Sequence, residues 1–127
     1  MNISQAAETA GLPTKTVRYY ADIGLVEPSS RTEVGYRSYD EAAIRRLSFV
    51  RRARAFGFSI EACRELLGFY GDDHRSNAHI RKIAAERLEE IEAKQRELQT
   101  LHDELAHLVK SCRGDGRPDC PIMDYLG

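Results

Sequence analysis

Two short helical segments separated by a turn open the hydrophobic pattern of the chain. Ser4 is expected to cap a helix over residues 5–10, and Gly11 is expected to end it, because glycine readily adopts the positive φ that follows a helix. A second helix is predicted over residues 14–23 and ends before Gly24. Two short helices joined by a tight, glycine-containing turn are typical of a helix-turn-helix, although many helical hairpins share this pattern.

The helical period is interrupted over residues 25–39. Residues 25–26 and 36–39 predict two short strands around a turn that contains Gly35, and together they would form a small β-wing. Asp40 is then expected to cap a third helix. The apolar residues of this helix recur at three-residue spacing on one face, namely Ile44, Leu47, Val50 and Ala53.

A fourth helix follows the glycine that ends the third. Gly57 terminates the third helix, and Ser59 is expected to cap the fourth, which closes with the apolar residues Leu66, Leu67 and Phe69. Taken together, these elements predict a mainly α-helical, winged helix-turn-helix domain over residues 1–70.

A long polar helix is predicted after residues 71–73. It covers about residues 77–109 within a dimerisation segment over residues 76–109, and at about 1.5 Å per residue it would be about 50 Å long. Its alternating four- and three-residue series is mostly apolar: Ile80, Ala84, Arg87, Ile91, Lys94, Leu98, Leu101, Leu105 and Leu108. A coiled-coil seam that joins two copies in a two-fold dimer explains this stripe. The alternative is a single amphipathic helix that lies on its own domain, which would leave much of the stripe in water.

The charge distribution favours a nucleic-acid contact in the first half of the chain. The net charge of the whole chain is −1, but residues 1–68 carry 10 Lys and Arg against 8 Asp and Glu, whereas residues 69–127 carry 9 against 12. Five arginines and no acid lie within residues 45–54. A basic face on one half of a protein, rather than its total charge, is the electrostatic footprint of DNA binding.

The second helix carries the main candidate DNA contacts, because second helices of this motif enter the major groove. The candidates on this helix are Lys15, Thr16, Arg18 and Tyr19. Arg18 is the best suited to a bidentate contact with guanine or phosphate. Tyr36 and Arg37 on the wing could reach the flanking backbone of the DNA. Tyr20 and Tyr39 are expected to be core or half-buried aromatics instead.

Two cysteines flank a seven-residue loop near the end of the sequence. Cys112 and Cys120 enclose a segment rich in Gly, Pro and Asp, which can fold back within residues 111–127 and bring the two sulfurs together. Cys120 precedes Pro121, the favoured first residue of a helix. Its thiol would therefore lie at a helix N-terminus, where the helix dipole lowers the thiol pKa and favours the thiolate.

A pair of thiolates selects soft metal ions, including Cu(I) and Zn(II). Zinc normally takes four ligands, whereas two thiolates alone suit the linear geometry of a monovalent d¹⁰ ion. A redox disulfide and two unrelated structural cysteines are the alternatives. Cys63 is expected to be a small buried hydrophobe rather than a ligand, and Met123 is expected to pack under the loop.

The motifs of the first half resemble those of the MerR family of transcription regulators. The resemblance lies in Val17-Arg18-Tyr19-Tyr20, Gly24-Leu25-Val26, Arg31, Gly35-Tyr36-Arg37-Ser38-Tyr39 and residues 51–59. It implies a homodimer joined by an antiparallel coiled coil, and it adds Arg31 to the candidate DNA contacts. It further implies a near-palindromic promoter in which the spacer between the −35 and −10 elements is too long for RNA polymerase to use both. The effector-bound form would bend and untwist this double-stranded DNA so that RNA polymerase can use both elements.

The loop near the end of the sequence resembles that of copper-responsive members of this family, the CueR/HmrR type. The pattern is a C-x7-C loop with Asp119 before Cys120-Pro121-Ile122. It implies that Cys112 and Cys120 bind Cu(I), and also Ag(I) or Au(I), and that the chain activates copper efflux or detoxification genes. Zinc- and other divalent-sensing relatives carry a further cysteine near the start of the dimerisation helix, where this chain has residues 76–78 without one. A divalent-metal sensor is the alternative within the family.

The sequence also bears on the compartment and the class of activity. No stretch approaches the roughly 20 apolar residues that span a bilayer, the first residues lack an export signal, and an odd number of cysteines cannot form a fully paired disulfide framework. A cytoplasmic location is therefore expected. The sequence has no C-x-x-C motif, nucleophile-base pair or phosphate-cradling glycine loop, which argues against an enzyme. A repressor or architectural dimer that uses the loop only structurally is a further alternative.

Overall fold

The computed structural model describes residues 1–31 and 36–127, over which the chain forms six helices and two short strands. In chain order they are α1 (Ile3–Ala10), α2 (Thr14–Asp22), β1 (Ser30–Arg31), β2 (Arg37–Ser38), α3 (Glu41–Ala55), α4 (Ile60–Phe69), α5 (Asn77–Ser111) and α6 (Pro121–Leu126). The prediction of a mainly α-helical chain is confirmed. The chain divides into two compact units, Met1–Ile83 and Ala84–Gly127, and the division falls inside α5.

The first helix begins two residues earlier than predicted, and its cap is Asn2 rather than Ser4. The Asn2 side chain accepts a hydrogen bond from the Gln5 backbone N–H at 2.8 Å, and the Gln5 side chain accepts one from the Asn2 N–H at 2.9 Å. This reciprocal capping box satisfies two backbone donors at once, which a lone serine cap cannot do. Gly11 ends the helix with φ 76°, as predicted.

The wing differs from the prediction in its first strand. Leu25 and Val26 form no strand, because both of their backbone N–H groups donate to the Tyr20 carbonyl and both of their side chains are buried. An edge strand would alternate between core and solvent instead. The observed β1 pairs antiparallel with β2, with Ser30 opposite Ser38 and Arg31 opposite Arg37. The predicted turn at Gly35 lies outside the described residues.

The core of the first unit joins the first four helices and the base of the wing. Its most completely buried side chains are Val17, Val26, Tyr39, Leu47, Val50 and Cys63. Three of the four apolar positions predicted on α3 are buried, and Ile44 packs against them partly buried. The predictions that Tyr20 and Tyr39 are core aromatics and that Cys63 is a buried hydrophobe are confirmed. Asp40 and Ser59 cap α3 and α4, also as predicted.

The long helix α5 exposes its apolar stripe in the single chain. Leu98 is 63% exposed and Leu101 and Leu105 are each 54% exposed, all three at predicted seam positions. Residues 84–127 are all described, and none of their side chains is buried. Contiguous exposed leucines on a helix are typical of a surface that another chain covers.

None of the helices formed by the described residues is long and apolar enough to cross a membrane.

Candidate metal centre and nucleic-acid interface

Helix α2 separates a buried face from a face that is open to a ligand. Val17, Tyr20 and Ala21 are buried against the core, which fixes the helix to the domain. The predicted DNA contacts on this helix are Lys15, Thr16, Arg18 and Tyr19. Thr16 is half-buried, and the other three are exposed. The exposed residues supply two cations and an aromatic ring along the first two turns of the helix. This arrangement suits a helix that enters a groove of DNA.

The wing places its three candidate contacts in different environments. Tyr36 is 73% exposed, and Arg31 is exposed opposite Arg37 in the strand pair. Arg37 is turned toward α2, where its Nη2 lies 2.7 Å from Asp22 Oδ1 and its Nη1 donates to the Arg18 carbonyl at 3.4 Å. Only 19% of the Arg37 side chain is exposed. Arg37 therefore ties the wing to α2, in addition to any contact that it makes with DNA.

Two arginines outside the predicted contact set also reach α2 or its surroundings. Arg64 of α4 donates to the carbonyls of Ile23 and Gly24 at 3.2 Å each. Arg54 of α3 donates to the Phe58 carbonyl at 2.7 Å. Burial raises the pKa of the Tyr20 phenol, and the positive charge of Arg54 acts to lower it. The partners of Arg64 are 40 and 41 residues away in sequence. No local pattern indicates such contacts, so the sequence gives no signal for them.

The two predicted metal-binding cysteines are brought together at the junction of α5 and α6. The Cys112 N–H donates to the Leu108 carbonyl at 3.0 Å and so continues the last turn of α5. Cys120 is the N-cap residue of α6, with Pro121 in the first turn as the sequence predicts. The two Sγ atoms are 3.5 Å apart, well beyond the roughly 2.05 Å of a disulfide. Both cysteines are half-buried and reduced.

The surroundings of Cys120 favour its thiolate. The backbone N–H of Met123 does most to lower the pKa of the Cys120 thiol, followed by the Cys112 thiol and the Ile122 N–H. Desolvation of the thiol and the Asp124 carboxylate act in the opposite direction but do not cancel these contributions. Amide donors aimed at a sulfur stabilise its anion, as the sequence predicted for a residue at a helix N-terminus. The chemistry of the pair therefore fits a soft, thiophilic cation.

The loop between the cysteines is polar and folds on itself. Gly114 takes φ 65°, a conformation that residues with side chains rarely adopt. The Asp115 carboxylate accepts from the Arg117 N–H at 3.0 Å and lies 3.5 Å from the Arg117 Nε. Met123 is 69% exposed, so the expectation that it packs under the loop is wrong. Its position on the outer side of the short α6 explains the difference, because the half-buried Ile122 takes the inner position.

His, Asp and Glu side chains do not join the cysteine pair in a larger cluster within the described part of the chain. Across residues 1–31 and 36–127, no group of three or more His, Cys, Asp or Glu side chains is placed to hold a metal ion. The candidate ligands that the geometry brings together are the sulfurs of Cys112 and Cys120.

Cys120 is expected to react faster than Cys63 with iodoacetamide at neutral pH. The thiolate is the reacting species, and the Cys120 pKa is lowered by amide donors, whereas burial raises the pKa of the Cys63 thiol. We expect alkylation of Cys120 to be at least about tenfold faster than that of Cys63, and to reach its maximum rate at a lower pH. Timed quenching followed by peptide mass spectrometry measures the rates. Equal rates in the folded chain would contradict this assignment, and urea should make the rates equal.

Two family descriptions match the chain and together cover most of it. "MerR HTH family regulatory protein" matches residues 1–69, and "MerR, DNA binding" matches residues 44–108. The first covers the chain from its start to the end of α4, and the second extends along most of α5.

Full-length relatives and a solved structure agree with these matches. The regulator HmrR of Rhizobium leguminosarum bv. viciae is 50% identical over 126 residues, covering 99% of this chain and 97% of the relative. CueR of Salmonella typhimurium is 43% identical, covering 99% of this chain and 91% of the relative. The crystal structure of the transcription regulator PbrR691 from Ralstonia metallidurans CH34, in complex with lead(II), superposes with a TM-score of 0.83. It is 29% identical, and the match covers 100% of this chain and 99% of that one. The chain therefore belongs to the MerR family of helix-turn-helix transcription regulators, which are not enzymes.

Proposed function

We propose that the chain is a homodimeric transcription activator that responds to Cu(I), and also to Ag(I) or Au(I), through Cys112 and Cys120. Its target genes would serve copper efflux or detoxification. The observation that carries this proposal is the pair of reduced sulfurs held 3.5 Å apart where α5 ends and α6 begins. In this proposal residues 1–70 bind DNA, residues 76–109 dimerise and residues 111–127 bind the metal.

The choice of metal rests on the chemistry of the donor set. A monovalent d¹⁰ ion is satisfied by two thiolate sulfurs, and such soft ligands select ions of this kind over Mg(II), Ca(II) or Mn(II). The amide donors at the start of α6 stabilise the Cys120 thiolate, and α5 fixes the backbone at Cys112. Further support comes from PbrR691, which is solved in complex with lead(II), another thiophilic cation.

The DNA-binding part of the proposal assigns base and phosphate contacts to the exposed face of α2 and to the wing. Lys15, Thr16, Arg18 and Tyr19 would lie in the major groove, with Arg31, Tyr36 and Arg37 beside the flanking backbone. Two copies related by a two-fold axis would present two such faces to a near-palindromic promoter. In the metal-bound form, the dimer would distort the promoter for RNA polymerase. By elastic considerations this costs about 1–6 kcal/mol, so an extended contact surface is needed to offset it.

The dimer itself is supported by the exposed stripe of α5. Leucines at alternating four- and three-residue spacing form the seam of a coiled coil when two helices meet. Leu98, Leu101 and Leu105 satisfy this spacing and are more than half exposed in the single chain. An antiparallel arrangement of two copies of α5 would cover them.

A metal titration tests the proposal directly. The reduced chain is titrated with Cu(I) in the presence of a Cu(I) chelator and, separately, with Zn(II), and the bound metal is characterised by X-ray absorption. We expect one Cu(I) per chain with two sulfur neighbours and much weaker zinc binding. A zinc site with four ligands and a higher affinity than Cu(I) would overturn the choice of copper in favour of a divalent-metal sensor.

A further inference from the structure

Arg64 is an arginine on α4 whose contacts lie on the helix proposed to read DNA. Its two terminal nitrogens are both engaged, Nη1 by the Gly24 carbonyl and Nη2 by the Ile23 carbonyl, each at 3.2 Å. The planar guanidinium therefore donates hydrogen bonds to two successive carbonyls just past the end of α2. Arginine suits this geometry because its donors form a rigid fork.

The carbonyls that Arg64 binds are ones that the backbone leaves available. The last carbonyls of a helix have no partner within the helix. The Tyr20 carbonyl already accepts from Leu25 and Val26 N–H groups, but Ile23 and Gly24 lie beyond the final turn. A cation at this end also complements the negative end of the helix dipole. Arg64 thus satisfies both the hydrogen bonding and the electrostatics of the C-terminus of α2.

A second arginine, Arg37, also contacts α2. It reaches from β2 to the Asp22 carboxylate at 2.7 Å and donates to the Arg18 carbonyl at 3.4 Å. Lys15 in the first turn of the helix and Arg18 at its middle have exposed side chains. Arginine side chains therefore fasten α2 mainly at its C-terminal end, while the proposed DNA-contacting cations face solvent.

We propose that Arg64 is a positioning residue for DNA recognition, which sets the direction in which α2 projects its base-contacting residues without touching the DNA itself. The inference rests on the proposed function, in which α2 enters the major groove. A small rotation of a recognition helix about its fastened end moves the groove-facing side chains most. Base contacts depend on direction and should suffer, whereas the electrostatic attraction of the domain for any duplex should persist.

The test compares the affinity of full-length variants for two duplexes. The specific probe is a duplex that the unaltered chain selects from a randomised library, and the non-specific probe is a random-sequence duplex of the same length. We expect Arg64→Gln to weaken specific binding about five- to tenfold, because two hydrogen bonds from a charged donor are lost. Non-specific affinity and the dependence of specific binding on salt should stay unchanged. Arg64→Lys keeps the charge but not the fork and should be intermediate.

Two matched variants calibrate the measurement. Lys15→Gln removes a proposed phosphate contact and should weaken both kinds of binding, with the slope of log affinity against log salt reduced by about 1. Arg81→Gln removes the same charge from an exposed position on α5, and we expect it to change neither affinity.

Any result for Arg64→Gln other than a selective loss of specific binding overturns the inference. Behaviour of Arg64→Gln like that of Lys15→Gln would make Arg64 a phosphate contact. A lower melting temperature with an unchanged ratio of specific to non-specific affinity would make its role only structural, and unchanged binding would leave it without a role in recognition. Failure of the unaltered chain to select any duplex would overturn the DNA-binding assignment, and the inference with it. A normal selection combined with a normal Arg64→Gln variant overturns the inference alone.

Discussion

Replacement of either Cys112 or Cys120 by serine is expected to abolish the transcriptional response to Cu(I) and to leave operator affinity within about twofold of the unaltered chain. A single remaining thiolate cannot bridge to a second sulfur, and a hydroxyl is a poor ligand for a soft cation. The two cysteines lie in the unit Ala84–Gly127, whereas the proposed DNA contacts lie in Met1–Ile83. Loss of the metal site should therefore be separable from DNA binding.

Transcription in vitro from a promoter with a long spacer, with and without Cu(I), measures this response. Cys63→Ala is the matched control, because Cys63 is buried in the core of the first unit. It should retain the full metal response. Retained copper induction in both serine variants would contradict the metal assignment. A response that instead follows reversible oxidation of the unaltered chain without metal would make the cysteine pair a redox switch.

Replacement of Leu101 by glutamate is expected to dissociate the proposed dimer and to lower operator affinity by about 100-fold or more. A charge in the middle of the seam would be desolvated against a facing apolar helix, so the two copies would separate. Two half-sites bound by linked copies gain affinity from effective concentration, typically by about 10²–10⁴, and a monomer loses this gain. Sedimentation gives the oligomeric state, and titration of the selected duplex gives the affinity.

Gln99→Glu is the control for the added charge. Gln99 lies on the opposite face of α5 from Leu101, and its substitution introduces the same charge near Asp103, to which Gln99 now donates a hydrogen bond. Such a like-charge pair costs only about 0.2–0.5 kcal/mol on a helix surface. The control should remain dimeric. If the Leu101→Glu variant stays dimeric and binds DNA normally, the assignment of α5 as the dimer interface is wrong.

The features that could be predicted from the sequence depend on residues close together along the chain. The Asp40 and Ser59 caps each bond an amide three residues ahead, and the long apolar series of α5 needs only helical periodicity. The cysteine pair belongs to this class as well, because a short loop with Gly114 can bring its ends together.

The features that were missed depend on more distant or more subtle pairing. The Asn2 cap could have been predicted from the sequence, because Gln5 follows Asn2 at the spacing of a capping box. The buried turn at Leu25 and Val26 could not be predicted in this way, because it depends on the direction of the Tyr20 carbonyl near the end of α2. The same holds for Arg37 and Arg64, whose charges suggest DNA but whose guanidiniums bond to protein groups on and just beyond α2.

No side chain between Ala84 and Gly127 is buried. The folded stability of this segment should therefore depend on the concentration of the chain that binds to it. A unit without a core of its own gains its stability from whatever covers it, so its apparent melting temperature rises with the concentration of the covering chain. If that chain is a second copy, each metal loop is supported by association, and dilution loosens it before the winged domain unfolds. The amount of regulator in the cell then sets how well the sensor is formed as well as how many promoters it can occupy.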